Sequence, residues 1–330
     1  MNSPLAFRQA EPSTSFPAPA REPLPSALPP HSFYDEAFQR NLGLYTAAEQ
    51  QTLRKARIAV AGVGGVGGLH LLALVRMGVG RFRIADLDVF DYSNLNRQFG
   101  ATMDSVGQSK TTVMKGMALA VNPDAEVDVF DQGIHAANID RFLDGVDVVV
   151  DGIDFFAFDI RRLLFQHARK RGLYVITAGP VGFGSTLQVF SPTGMSFDEY
   201  FGMYDGLTEM QKFVAFATGI APAVLHRKYM DLSRIKLAAG KAPVVASSCM
   251  LSSGLVAHEA INVLLRKRPI KAVPYYFQFD AFLQTYKKGY LRWGARNPIQ
   301  HVKRWILMRM MTKLFPDGHP AIAPDTPAKG

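Results

Sequence analysis

IAVAGVGGVGG, residues 58–68, places Gly62-x-Gly64-x-x-Gly67 between an apolar run that reads as a strand, Arg57–Ala61, and a helical pattern over Leu69–Met77. In that setting Gly62, Gly64, Gly65 and Gly67 let the backbone turn tightly and approach a phosphate, while the helix start offers free N–H groups. IADLD follows at 84–88, and its Asp86 ends a second strand, Arg81–Asp86, about 20 residues beyond the loop, where an acid accepts from ribose hydroxyls. NAD and ATP share that ribose, so Asp86 does not separate them. The next two stretches do. SNLNRQ at 93–98 sets Arg97 among Asn94, Asn96 and Gln98, and VGQSK at 106–110 brings Lys110 to the start of a helix. A guanidinium binds two phosphate oxygens at once and a lysine adds a point charge. A nicotinamide enzyme has no need of both cations, so the reading is ATP.

Outward from this stretch, strands and helices alternate. Ser109–Val121 reads as a helix, Glu126–Phe130 and Val146–Asp151 as strands, Phe158–Gly172 as an amphipathic helix and Leu173–Ala178 as a strand. The fold class that follows is α/β, a doubly wound, Rossmann-like, mainly parallel sheet. Ser185–Phe190, Tyr275–Phe279 and Gln284–Tyr290 alternate in polarity and read as antiparallel strands extending it. The expected division is a Pro-rich disordered tail at 1–30, a nucleotide-binding half at 31–190, and a poorly periodic crossover at 191–243 that grips the substrate. A C-terminal helix and strands at 244–300, and a basic helix plus tail at 301–330, complete it.

Composition narrows the chemistry. The chain has 330 residues, a net charge of +9, and 48% apolar residues, enough for a sizeable core. The basic balance suits phosphate-bearing ligands, nucleic acid or an anionic surface. A single cysteine, Cys249, excludes an internal disulfide and a Cys₂…Cys₂ zinc site. In SSCMLSSG it reads as a small buried hydrophobe rather than an acyl-accepting thiol. Ala242–Ala257 is the longest charge-free stretch that could be helical, and it is shorter than the roughly 20 residues of a membrane span. With no signal pattern at the N-terminus, a cytoplasmic protein without a transmembrane segment is expected.

The ordered set GxGGxG, the acid after strand two, SNLNRQ, VGQSK and VVDGID (149–154) resembles the ubiquitin-activating family of adenylating enzymes, whose bacterial branches are ThiF, MoeB and HesA. The resemblance spans about residues 38–190, and Val244–Leu265 more loosely. It implies ATP and Mg²⁺ as cofactors, with Asp86 on the ribose, Asn94, Arg97 and Lys110 on the triphosphate, and Asp154 on the metal. Arg40, in Gln39-Arg40-Asn41, resembles an arginine that family members insert into a partner subunit's site, which implies a homodimer. The implied reaction is adenylation of a C-terminal carboxylate on a small ubiquitin-like or sulfur-carrier protein, or on a peptide. The alternative is ATP-dependent modification of tRNA, in the manner of a threonylcarbamoyladenosine dehydratase. A nicotinamide oxidoreductase and a non-catalytic nucleotide-binding scaffold are the remaining readings.

Two segments invite a substrate reading. Phe155, Phe156 and Phe158 follow Asp154 as core residues or as the walls of a narrow channel. SFDEYFGMYDG, at 196–206, mixes acids and aromatics in a way that suits a peptide tail. The basic stretch His301–Phe315 reads as a helix docked on its own domain.

Overall fold

The computed structural model describes residues 30–235 and 240–314. The expected N-terminal tail and the segment after Leu314, Phe315 included, lie outside the described residues, except that Pro30 opens the first helix. In chain order the elements are α1 (Pro30–Phe38), α2 (Ala47–Lys55), β1 (Arg57–Ala61), α3 (Gly67–Arg76), β2 (Arg81–Ala85), α4 (Lys110–Val121), β3 (Glu126–Phe130), α5 (Ile139–Leu143), β4 (Val148–Asp151) and α6 (Phe158–Lys170). They continue as β5 (Tyr174–Thr177), β6 (Pro180–Val181), β7 (Gly184–Phe190), α7 (Phe197–Phe201), α8 (Glu209–Ile220), α9 (Ala246–Leu265), β8 (Tyr275–Asp280), β9 (Thr285–Tyr290) and α10 (Pro298–Leu314).

The strands form one nine-stranded sheet in the order β3-β2-β1-β4-β5-β7-β8-β9, with β6 paired to β7. β3, β2, β1, β4 and β5 run parallel, and β7, β8 and β9 extend them antiparallel. The expected α/β sheet with antiparallel C-terminal strands is therefore observed. The central strands are apolar on both faces because helices cover both. Alternation sends Ile58, Val60, Val148 and Val150 into one layer with α3 and α9. It sends Ala59, Ala61 and Val149 into the other, with α6, α7 and α8.

Residues 191–243 hold more structure than their weak periodicity suggests. Ser196 and Glu199 close a capping box on α7, and Thr208 and Gln211 close another on α8. These S-x-x-E and T-x-x-Q signals satisfy orphan N–H groups at the two helix starts. The structure corrects the peptide-tail reading of SFDEYFGMYDG. Phe197, Tyr200 and Phe201 are buried, Asp198 takes a forked hydrogen bond from Arg162, and Glu199 is spent in its cap. Phe155, Phe156 and Phe158 likewise pack against Phe213 and Phe216 of α8 and belong to the core.

α9 matches the expected C-terminal helix, Val244–Leu265, within two residues, and runs on past the charge-free stretch Ala242–Ala257. Its 20 residues are long and apolar enough to cross a bilayer, but 61% of its apolar window is buried inside the fold. Ser252 bonds Ser185 of β7, and Glu259 pairs with Arg268, so polar side chains knit the helix to its own domain. α10 begins at Pro298, ahead of His301, and docks on the domain through Lys303 to the Pro222 carbonyl and Arg304 to the Phe201 carbonyl.

Candidate nucleotide site

The site forms where β1 and β4 run side by side and their connections leave the sheet in opposite directions, the place where open α/β sheets bind ligands. Gly62 adopts φ +81°, and a Cβ on it would fall 2.3 Å from the Gly152 carbonyl oxygen. A Cβ on Gly67 would fall 1.8 Å from the Gly62 oxygen. Two chain segments 90 residues apart thus touch backbone to backbone, which only glycine permits. Gly64 and Gly65 are different: neither touches backbone. The nearest group to a Cβ on Gly64 is the Gln98 amide at 3.5 Å, and to one on Gly65 the Cys249 sulfur at 3.5 Å and Arg97 Cγ at 3.8 Å. The SNLNRQ loop therefore lies directly over the glycine loop, and α9 supports it from below.

Asp86 stands at the tip of β2. Its carboxylate accepts from the Val63 N–H at 2.9 Å and the Asp88 N–H at 3.0 Å. Burial holds its pKa above the usual carboxylate range, and the nearby Lys110 ammonium opposes that shift. Lys110 is 6% exposed; its Nζ donates to Asp88 at 2.7 Å and lies 4.0 Å from Asp86. Asp88 is thus the amine's ion-pair partner, a role its sequence context did not suggest. Asn94 is buried, and its side-chain oxygen caps the Asp91 N–H, so its amide group is what remains for a ligand. Arg97 donates to the Ser93 carbonyl and to the Asn96 side chain, and no carboxylate pairs with it among the described residues. Asn96 in turn donates to the Val244 carbonyl at 3.0 Å, tying this loop to the start of α9.

The exit of β4 is held by a residue the sequence reading passed over. Arg161 of α6 is 3% exposed, pairs with buried Asp151 at 2.9 Å, and donates to the carbonyls of Ile153, Asp154 and Phe155. Thr177 also donates to Asp151. In an amphipathic helix with the sequence FDIRRLLF, Arg161 looks like a solvated face residue. Only its proximity to VVDGID in space reveals the hub. Asp154 itself is exposed at the mouth of the loop, and its carboxylate accepts from the Phe156 N–H.

Arg40 is not brought to this site within its own chain. It is exposed on a short 3₁₀ turn, Gln39–Asn41, whose Asn41 bonds the Met77 carbonyl at the far end of α3, roughly 15 Å of helix from the glycine loop. Cys249 is 1% exposed, and burial pushes its thiol up to about 11. A shallow cleft of about 530 Å³ between Tyr34, Arg54, Arg81 and Glu126 opens at the N-terminal end of the strands, opposite the glycine loop, and belongs to no part of this arrangement.

The residues fit a nucleoside triphosphate. Gly64 and Gly65 meet no backbone on their open side, where the Gln98 side-chain amide and Arg97 stand over them. Arg97 has no competing carboxylate among the described residues, and Asp86 is fixed at the tip of β2 by the Val63 and Asp88 N–H groups, where an acid can accept from a ribose. For Mg²⁺, one accessible carboxylate beside the phosphates is the usual protein contribution, and Asp154 is an exposed carboxylate at this mouth that would fit it. No group of three or more metal-ligating side chains occurs among the described residues.

Residues 38–298 match the ThiF family. The tRNA threonylcarbamoyladenosine dehydratase of Haemophilus influenzae is 34% identical over 150 residues, which is 45% of this chain and 57% of that protein. A probable molybdopterin-synthase adenylyltransferase of Porphyra purpurea is 34% identical over 107 residues, 32% of this chain and 28% of that protein. The chain thus spans little more than half the length of the first of these relatives, and less of the second. Escherichia coli MccB, solved with ATP, superposes with a TM-score of 0.58 at 19% identity, covering 80% of this chain and 72% of that one, and so shares the fold. The chain belongs to the ThiF family.

Proposed function

We propose that this ThiF-family chain uses ATP to adenylate a carboxylate, and that the carboxylate is borne by a threonylcarbamoyl group on a tRNA adenosine. The observation that carries the first half is Arg97 over the glycine loop beside Asp86, a cation without a carboxylate partner at the mouth of a nucleotide cradle. In this reading Asp86 holds the ribose, and Arg97, Lys110 and the Asn94 amide neutralise and position the phosphates. Asp154 holds the Mg²⁺ that shields their charge. A carboxylate oxygen attacks the α-phosphorus, the bond to pyrophosphate breaks, and an acyl-adenylate remains. A nucleophile within the threonylcarbamoyl group then closes a ring and expels AMP, so that the net change is loss of water. Positioning and electrostatics do the work, and no protein nucleophile takes part.

Three observations support the tRNA-borne substrate. The dehydratase relative matches over larger shares of both chains than the molybdopterin-synthase adenylyltransferase does. The only thiol, Cys249, is buried and so cannot receive an acyl group from a carrier protein. The charge of +9 suits a polyanion. The reading also assigns two copies to the working enzyme, because the turn that carries Arg40 is tied to the end of α3 remote from its own site. The second reading is a C-terminal carboxylate on a small protein or peptide, favoured by the molybdopterin-synthase relative.

The test is AMP and pyrophosphate release with Mg²⁺ and ATP. The acceptors compared are tRNA carrying threonylcarbamoyladenosine, the same tRNA without it, and a small-protein fraction. Release that depends on the modified tRNA supports the reading. Release only with the protein fraction transfers it to the second.

A further inference from the structure

The β8–β9 hairpin carries a surface that the nucleotide site does not use. Residues 266–292 contain seven cations and one acid, Asp280. That acid is buried and accepts from the Tyr229 hydroxyl. Two carboxylates beyond the segment are paired with its cations, Glu49 with Lys267 and Glu259 with Arg268. Lys271, Lys287, Lys288 and Arg292 have no acidic partner among the described residues.

The register decides which side chains share a face. Tyr275 pairs with Tyr290, Phe277 with Lys288, and Phe279 with Tyr286. Cross-strand partners point the same way, so five aromatic rings and one lysine stand on one face. The opposite face carries buried Gln278 and Asp280 and packs inward. Phe277 of this face packs against the α3–α9 layer and is half-buried, but α9 lies chiefly over β4 to β7, so the tyrosines of the face are left open. Tyr275, Tyr286 and Tyr290 are 38%, 59% and 55% exposed. Tyr275 and Tyr290 meet edge to face at 4.7 Å, and Lys271 lies over the Tyr275 ring. The amines of Lys271 and Lys288 face each other, close enough that Lys271 lowers the pKa of Lys288.

Lysines on an edge strand are an ordinary guard against strand pairing. They do not explain three tyrosines turned to water on the same hairpin, nor two amines brought together without an acid. Stacking rings beside unpaired cations on an open sheet face is the chemistry that holds unstacked bases and their phosphates. We infer that the exposed face of the β8–β9 hairpin binds a single-stranded stretch of RNA, with Tyr286 and Tyr290 stacking on bases and Lys271 and Lys288 meeting phosphate. This rests on the tRNA reading above, and it names where the tRNA is held outside the adenylation site.

The test uses the full chain and unmodified tRNA transcript, read by fluorescence anisotropy at two salt concentrations. Tyr286→Ser with Tyr290→Ser should weaken tRNA binding about ten- to a hundredfold. Lys271→Gln with Lys288→Gln should weaken it and lower the salt dependence by about two charges. Both pairs should leave ATP affinity and the melting temperature unchanged, since Tyr286, Tyr290 and Lys288 are exposed and Lys271, half-buried, has no acidic partner among the described residues. Wild-type tRNA affinity retained in both variants overturns the proposal. So does a shift from dimer to monomer in sedimentation with tRNA affinity intact, which would make the face a contact between copies. Hairpin-dependent tRNA binding without AMP release from modified tRNA would sustain the surface and overturn the substrate reading alone.

Discussion

Arg161 Nε lies 2.9 Å from Asp151 Oδ2, with the two side chains 4% and 1% exposed. Three of the four remaining guanidinium hydrogens go to three consecutive carbonyls, those of Ile153, Asp154 and Phe155. One buried ion pair therefore sets the path of the loop that presents Asp154. Removing one partner strands the other charge in the core, a cost of about 3–5 kcal/mol. Arg161→Leu is expected to lower unfolding free energy by that amount in a urea titration. Adding Asp151→Leu should recover part of it, because no unpaired charge remains.

The four glycines of the loop should divide into two classes. Gly67→Ala drives a methyl into the Gly62 oxygen and is expected to lower the melting temperature and abolish ATP binding together. Gly65→Ala meets only ordinary contacts, at 3.5 Å from Cys249 and 3.8 Å from Arg97. It should keep the wild-type melting temperature while its methyl occupies phosphate space, so ATP affinity alone falls. Thermal unfolding with and without ATP separates the two outcomes.

Arg97→Ala removes a cation that pairs with no carboxylate among the described residues and gives up only two exposed hydrogen bonds, to the Ser93 carbonyl and the Asn96 side chain. Stability should stay within about 0.5 kcal/mol of wild type. The kcat/KM for AMP formation should fall about 10²–10³-fold, the usual loss for one preorganised charge-stabilising donor. Unchanged ATP affinity and turnover would remove Arg97 from the phosphate site.

Cys249 sits under the glycine loop, and burial pushes its thiol up to about 11. At pH 8 it is expected to react with a disulfide reagent far more slowly than in the urea-unfolded chain. Cys249→Ala should retain full AMP-forming turnover. A loss of more than about tenfold at unchanged ATP affinity would restore a covalent role.

His70, on α3, is fully buried, and neither ring nitrogen has a partner among the described residues. Burial holds its pKa at about 3, and that of His226 at about 4, both below the ordinary 6.5. The unfolded chain binds these protons first. The stability each contributes is present above pH 6.5 and is lost as the pH falls toward those lower values. Below about pH 6 each should cost roughly 1.4 kcal/mol per pH unit. His70→Leu should flatten the acid limb of the urea-unfolding profile by one histidine's share.

The strands and the glycine turn were legible in the sequence because their signals are local. Apolar runs such as RIAVA and VVVD span a few residues, and their period or continuity states which faces are covered. The acid at the tip of β2 and the Ser109 cap on α4 are equally local. What remained out of reach joins residues far apart in the chain. Gln98 and Arg97 reach Gly64 and Gly65, Cys249 comes beneath them from α9, and Arg161 holds the β4 exit from another helix. The cap made by the Asn94 side-chain oxygen, the pairing of Lys110 with Asp88, and the burial of Phe197, Tyr200 and Phe201 depend on neighbours that only packing supplies. The tyrosine face of the hairpin depends on where α9 ends over the sheet, a relation between two elements. Sequence period constrains each element's own buried face, whereas contacts between elements are chosen by the joint burial of all of them.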